Sequence, residues 1–356
     1  MRIAINILLI TACIFLVGCP NEKNNNKYSS AVKFIKPLNN LKIKRGEELN
    51  LQIKIEDINE LMSLKIFSKD TVFYNDQVTS DIFNLTIPTT VLKIGTNQIS
   101  LEANLKSGKT INENRLIKIL SDVYPVDYSV KVINEFPHLT TSYTQGLEFS
   151  NGELFESTGG TGSTGKSLLA KVNIQSGQHT QSHFLENSYF GEGITILNDK
   201  IFQLTWQQHK AFVYSKNSFE LLTEYSYSGE GWGICNNGEL LIMSDGSERL
   251  YFRDPNTFGT LKTIEVYSNQ GPVKNLNELE YVDGKIYANI YQSNNIVVID
   301  PKTGIVEQII DCSELALNYK KSGEVLNGIA FNSSTNTFFL TGKNWASLLE
   351  VEIIEL

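Results

Sequence analysis

From about residue 128 onward one pattern of apolar and polar positions recurs. The segments YTQGLEF (143–149), FGEGITIL (190–197), GEGWGICN (229–236), NLNELEYV (275–282) and VLNGIAF (325–331) are its clearest copies. Each is followed within a few residues by a tight-turn signal: Asn151-Gly152, Asn198-Asp199, Asn237-Gly238, Asp283-Gly284 and Thr335-Asn336. A second alternating run follows each turn (ELFEST, KIFQLTW, ELLIMSD, KIYANIY, TFFLTGK), and third runs such as LYFRD and NIVVID lead into DPNTFG and DPKTG turns. Alternation with a period of two, bounded by Asn, Asp and Gly, predicts strands and hairpins. A repeat of about 40–50 residues holding four short strands is the sequence signature of a β-propeller. Five copies predict five blades over residues 123–356. The last blade ends on a third-type strand (LLEVEII), so its outer strand is expected from residues near 128–136.

Residues 31–122 alternate differently. Short runs such as Leu49-Gln52-Ile53-Lys54-Ile55 and Ile82-Phe83-Leu85-Ile87 are punctuated by Gly46, Gly95 and Gly108. About seven strands with a turn signal roughly every ten residues predict a small immunoglobulin-like β-sandwich. Its charges scatter evenly and nothing in it concentrates chemistry, so a spacer or interaction module is expected. Ser121 to Asp127 (SDVYPVD) reads as the linker to the propeller, and the whole chain is expected to be all-β.

The first residues belong to neither unit. Arg2 is followed by an apolar run from Ile7 to Val17, too short to span a bilayer core of about 30 Å, which marks a signal peptide over 1–18 rather than a membrane helix. Leu16-Val17-Gly18-Cys19 looks like a bacterial lipobox, in which Cys19 is lipidated; the alternative is an ordinary secretory signal with a chance cysteine. Residues 19–30, with PNEKNNNK, read as a polar tether. The expectation is a lipid-anchored protein of the bacterial cell envelope, facing the periplasm or the cell surface. Of the four cysteines the mature domains keep Cys235 and Cys312, which sequence leaves either paired or as buried thiols.

Charge and composition narrow the function. With 39 acidic against 31 basic residues the net charge is −8, which argues against nucleic-acid binding. Four histidines and the absence of CxxC or HExxH leave few ligands for zinc. No metal and no cofactor are expected. Fifteen Tyr, eighteen Phe and 25 Gly suit strands joined by tight turns.

Repeat phase then places residues in space. The first strand of each blade lines the central channel, so the equivalent positions Gln145, Glu192, Trp232, Asn277 and Asn327 form one ring. The last positions of the second strands, Gly159, Trp206, Asp245, Tyr291 and Lys343, form another. First and second strands are antiparallel neighbours, so both rings are expected at one mouth of the channel. Polar, charged and aromatic residues converge there, where a purely structural strand would carry Val or Ile. Asp245 is as well suited to holding its own blade as to serving the site.

These residues resemble the plant and bacterial glutamine cyclotransferases, five-bladed propellers that convert N-terminal glutamine to pyroglutamate and release ammonia. The resemblance spans about residues 128–356 and rests on YTQGLEF, ESTG, YFGEGITIL, LTW, WGI, NELEY, VLNGIAF and TGKNW. It implies an aminoacyltransferase-type enzyme acting on peptides or proteins with N-terminal Gln, in a monomer. It also implies that Glu192 is the general acid/base and that Gln145, Phe190, Trp206, Trp232, Asn277 and Lys343 are pocket residues. Tyr143 and Tyr291 stand where the family commonly has Phe and Trp, which bears on side-chain preference more than on the chemistry.

The chemistry suits these residue types. The substrate's α-amine attacks its own γ-carboxamide, so no Ser or Cys nucleophile is needed. Aromatic walls hold the folded-back conformer. One carboxylate takes the amine proton and returns it to the leaving nitrogen. Asn277 and Gln145 can hold the amide or amine, and Lys343 can stabilise the oxyanion or fix Glu192 ionised. Other motifs carry less. Gly160–Ser167 satisfies GxxxxGK[ST], but a strand pattern follows where a P-loop needs a helix. His179 and His183 lie in a polar stretch between strands, and Glu148, Glu278 and Glu280 are out of phase with Glu192 and read as structural. The alternatives are a non-catalytic peptide- or sugar-binding propeller lipoprotein and a calcium-dependent lactonase-type propeller, the latter disfavoured by rings of amides and aromatics.

Overall fold

The computed structural model describes residues 31–161 and 165–356. The signal peptide, the tether and Cys19 lie outside them, as does part of the Gly160–Ser167 loop. The described chain is all-β, with a single seven-residue α-helix, Ser313–Tyr319, outside the strands and two 3-10 turns.

Residues 31–120 form two sheets over one core. One has three strands, with Glu48–Ile55 between Val32–Lys36 and Ile82–Pro88; the other has five, with Gly95–Leu105 at its centre. Glu48–Ile55 shows the physics: Leu49, Leu51, Ile53 and Ile55 alternate into the core while the residues between them face outward. The unit has eight strands rather than about seven. The extra one, Leu41–Lys44, is short and pairs parallel to Thr110–Leu120 at the sheet edge, and its LKIK pattern is too brief to read as a strand.

The rest of the chain is propeller-like. Three antiparallel four-stranded sheets start from the inner strands Thr144–Ser150, Gly191–Leu197 and Ile234–Asn236. Two more four-strand runs start from Leu276–Val282 and Leu326–Asn332 and merge into one eight-stranded sheet. The merging strand is Val126–Pro137. It pairs antiparallel with Ser347–Glu355, as the sequence expects, and its first residues also pair parallel with Val306–Asp311. The inner strands pack side by side in chain order, and the last packs against the first. Because sheets cover them on both faces, their residues are buried almost without alternation. The core is correspondingly shared between adjacent sheets: Phe155 and Leu169 pack with Ile194, Ile201 and Phe212, while Leu147 and Leu154 pack with Ala330, Phe339 and Leu348 across the closure.

A buried polar cluster pins that closure. His138, just after the strand Val126–Pro137, bonds Trp345 O through Nδ1 (2.9 Å) and Glu156 through Nε2 (3.1 Å). Glu156 also accepts from Ser142, Thr144 and His179. His179 is therefore structural, and it lies on a strand, His179–Phe184, rather than between strands. The two units meet where Thr96 donates through N and Oγ1 to Glu265 (both 3.0 Å), and Tyr267 and Ile305 complete the sandwich core. Cys235 and Cys312 are buried free thiols.

Candidate active site

Irregular backbone, built into regular strands, aims the site residues. In four of the inner strands the ladder register shifts at Thr144/Gly146, Gly191/Ile194, Leu276/Leu279 and Leu326/Ile329. Such bulges re-aim side chains, and the shifted positions contain or flank Gln145, Glu192, Asn277 and Asn327. The glycine after the ring residue is a steric requirement. A Cβ on Gly146 would lie 2.4 Å from Ile194 N, and one on Gly233 would lie 2.0 Å from Asn277 O. Inner strands therefore touch backbone to backbone, bringing the ring residues close together.

Both predicted rings open into one cleft of about 450 Å³. Its polar floor is Gln145, Glu192, Asn277 and Lys343, all at least 96% buried. Its walls are Tyr143, Phe190, Trp206, Trp232 and Tyr291. Phe190 stands edge-on to both Tyr143 and Trp206 (centroids 6.2 and 5.8 Å), and Trp232 stands edge-on to Tyr291 (5.5 Å). Gly159 explains how Phe190 gets there, since a Cβ at 159 would meet the Phe190 ring at 2.3 Å. The remaining ring positions serve from behind or elsewhere. Asn327 donates to Gln145 Oε1 (3.3 Å) and lies beneath the floor. Asp245 is turned into its own sheet, accepting from Ser247 and from Tyr251 OH (2.8 Å), which settles it as a structural carboxylate.

The electrostatics are unusual. Gln145 Nε2 donates to Glu192 Oε1 at 3.1 Å. Burial pushes the Glu192 carboxyl well above its ordinary range, the charge of Lys343 pulls it back, and Glu230 pushes it up again. Burial likewise pushes Lys343 down to about 8, against the carboxylates of Glu192 and Glu324. Lys343 and Glu192 form no ion pair among the described residues. The ammonium instead lies over the rings of Tyr143 (4.6 Å) and Tyr291 (5.3 Å). Its backbone is fixed by Trp345, fully buried against Gly342, whose indole N–H donates to Glu324 O. Asn277 lines the cleft, and its Oδ1 is buried without a hydrogen-bond partner.

Glu230 lies in neither ring, yet its Oε2 accepts from both Trp206 Nε1 (2.8 Å) and Trp232 Nε1 (2.9 Å). Repeat phase does carry a signal for it: it stands two residues before Trp232, as Tyr143 and Phe190 stand before Gln145 and Glu192. Both indole N–H groups are thereby occupied, so the tryptophans offer a substrate their faces and edges. Glu148, Glu278 and Glu280 are structural, as expected. Glu278 accepts from Leu147 N and Ile329 N, Glu148 from Ile196 N, and Glu280 from Phe331 N, each stapling its inner strand to a neighbour. Among the described residues no group of three His, Cys, Asp or Glu is placed to hold a metal.

Comparisons with known proteins bear on the family of the chain. A family model described as glutamine cyclotransferase matches residues 102–353. A glutaminyl-peptide cyclotransferase of Arabidopsis thaliana is 37% identical over 230 residues, 63% of this chain and 71% of that protein. The crystal structure of Myxococcus xanthus glutaminyl cyclase superposes with a TM-score of 0.62 at 36% identity, covering 65% of this chain and 99% of the other. The chain therefore belongs to the glutamine cyclotransferase family and is an enzyme of the glutaminyl-peptide cyclotransferase class.

Proposed function

We propose that this protein converts the N-terminal glutamine of peptides or proteins to pyroglutamate, with Glu192 as general acid/base and without a metal. The observation that carries the reading is a single buried carboxylate, Glu192, held by Gln145 and facing Lys343 without touching it, across an aromatic cleft. Both line the cleft, where the reacting amide would sit. The α-amine nitrogen bonds to Cδ of the same residue while Glu192 takes the amine proton. The carbonyl oxygen gathers charge facing Lys343, and the Asn277 side chain, in the cleft lining, holds the substrate by hydrogen bonding. Collapse breaks the bond from Cδ to the amide nitrogen, and Glu192 returns the proton so that ammonia leaves. A carboxyl raised by burial suits both halves of this shuttle, because proton affinity near the working pH serves base and acid alike. The walls supply orientation: the folded-back glutamine side chain is held between Phe190, Trp206, Trp232 and Tyr291. A lining with one carboxylate and neither imidazole nor thiolate supports the metal-free reading.

Around this core we read the five four-strand runs as the blades of a five-bladed propeller and the N-terminal unit as an immunoglobulin-like sandwich. We read the mature protein as a monomer anchored to the bacterial envelope through lipidated Cys19. The direct test incubates the purified protein with a Gln-initiated dipeptide. One ammonia per pyroglutamyl product supports the reading. Saturable peptide binding with no ammonia supports the non-catalytic alternative.

A further inference from the structure

Both tryptophans of the cleft end on one exposed-edge carboxylate that the reaction itself does not require. Trp206 follows the strand Lys200–Thr205 and Trp232 precedes Ile234–Asn236, so the two indoles come from neighbouring sheets. Each donates its N–H to Glu230 Oε2, at 2.8 and 2.9 Å, and Gln207 Nε2 donates to Oε1 at 2.9 Å. Three donors thus converge on a half-buried acid, and hydrogen bonds to an ionised acceptor are stronger than neutral ones. Packing alone would have been served by an apolar residue. An indole wall without such a bond can rotate about two side-chain torsions, and the shape of the cleft would rotate with it. The surroundings of Glu230 keep it ionised: burial pushes it up, but the bonds from Gln207, Trp232 and Trp206 and the nearby His209 outweigh burial and hold it below its ordinary range.

We propose that Glu230 is a positioning residue of this active site: it locks the two indole walls in a single orientation. The locking rests on the geometry alone; only its kinetic readout rests on the reading of the site as a glutamine cyclase.

Two variants and two readouts test this. The chain has three tryptophans, and Trp345 is fully buried away from the cleft, so changes in emission and acrylamide quenching report on Trp206 and Trp232. In Glu230→Ala the emission should shift and quenching should rise in the protein alone, without substrate, with far-UV circular dichroism unchanged. Unchanged emission and quenching overturn the locking, whether or not the protein cyclises glutamine. With a Gln-initiated dipeptide, Glu230→Ala should raise KM by about tenfold. Glu230→Gln, which keeps an acceptor oxygen for the indoles, should restore KM to within about threefold of wild type. A KM in Glu230→Ala within about threefold of wild type overturns the claim that the lock serves the site. Wild-type protein without cyclising activity would instead remove the Glu192 reading and leave the fluorescence result standing.

Discussion

Gln145 presents an N–H, and not its oxygen, to Glu192. The orientation follows from a chain of bonds: Asn327 Nδ2 donates to Thr144 O (3.0 Å) and to Gln145 Oε1 (3.3 Å), which leaves Gln145 Nε2 for Glu192 Oε1 (3.1 Å). A donor favours the ionised carboxylate, so this bond works against the burial that raises Glu192. Gln145→Leu should therefore move the acid limb of kcat to higher pH. Asn327→Leu, which frees Gln145 to flip, should move it the same way but less. Profiles measured on one dipeptide, so that the substrate amine is common to all, check the sign.

Lys343 sets the other limb. With its ammonium pushed down to about 8 by burial, the charge that faces the oxyanion disappears as pH rises through that value. The substrate amine, with a pKa of roughly 7.7–8.0, must be neutral to attack. Activity should then peak near pH 8. Lys343→Arg keeps its charge at all accessible pH, so it should be slower but lose its alkaline limb. Rates from pH 6 to 10 on wild type and variant decide the point, and an alkaline limb retained in the arginine variant would assign it to another group.

The ring residues were legible because a strand has period two and a propeller repeats its strands; phase alone placed Gln145, Glu192, Asn277 and Lys343 at one mouth. What phase could not give were directions set by neighbours. Asp245 is in the ring by spacing but is turned away by Ser247 and Tyr251. Glu230 shares the repeat position of Tyr143 and Phe190, two residues before the ring, but its bonds to the indoles depend on side-chain direction, which phase does not give. The His138–Trp345 bond at the closure joins residues from opposite ends of the propeller, a pairing local pattern cannot carry.

The structural carboxylates predict how stability depends on pH. Burial, against hydrogen bonds from Thr195 and Ile196, pushes Glu148 up to about 8; burial also raises Glu280 and Glu278. A raised carboxyl binds its proton more tightly in the folded state, so its contribution to stability is full below the unfolded pKa of about 4.3 and is lost as pH rises through the folded value. Tm should accordingly be higher at pH 6 than at pH 8.5. Glu148→Gln, which keeps an acceptor for Ile196 N, should flatten that difference and raise Tm at pH 8.5. An equal or higher wild-type Tm at pH 8.5 would show that these groups ionise at no cost.

Glu156 should behave in the opposite sense. Burial opposes its charge, but His138, His179 and Thr144 outweigh it and hold it well below its ordinary range. Removing it strands three buried donors and the half-buried His179, so Glu156→Ala should cost about 3–5 kcal/mol in chemical denaturation while leaving KM unchanged in whatever fraction folds. A loss below about 1 kcal/mol would mean the closure is held by apolar packing alone.

The central claim is that Glu192 carries the proton, and Glu192→Gln tests it most directly. The amide keeps the shape and a hydrogen-bonding partner for Gln145 but cannot act as a base. General acid–base catalysis is worth about 10²–10⁴-fold. Single-turnover and steady-state ammonia release from a Gln-initiated dipeptide, in excess chelator, should show kcat down by at least about 10² with KM little changed and the wild-type rate intact. Near-wild-type turnover in a correctly folded Glu192→Gln protein would contradict the account, as would a wild-type rate abolished by the chelator and restored by Zn2+.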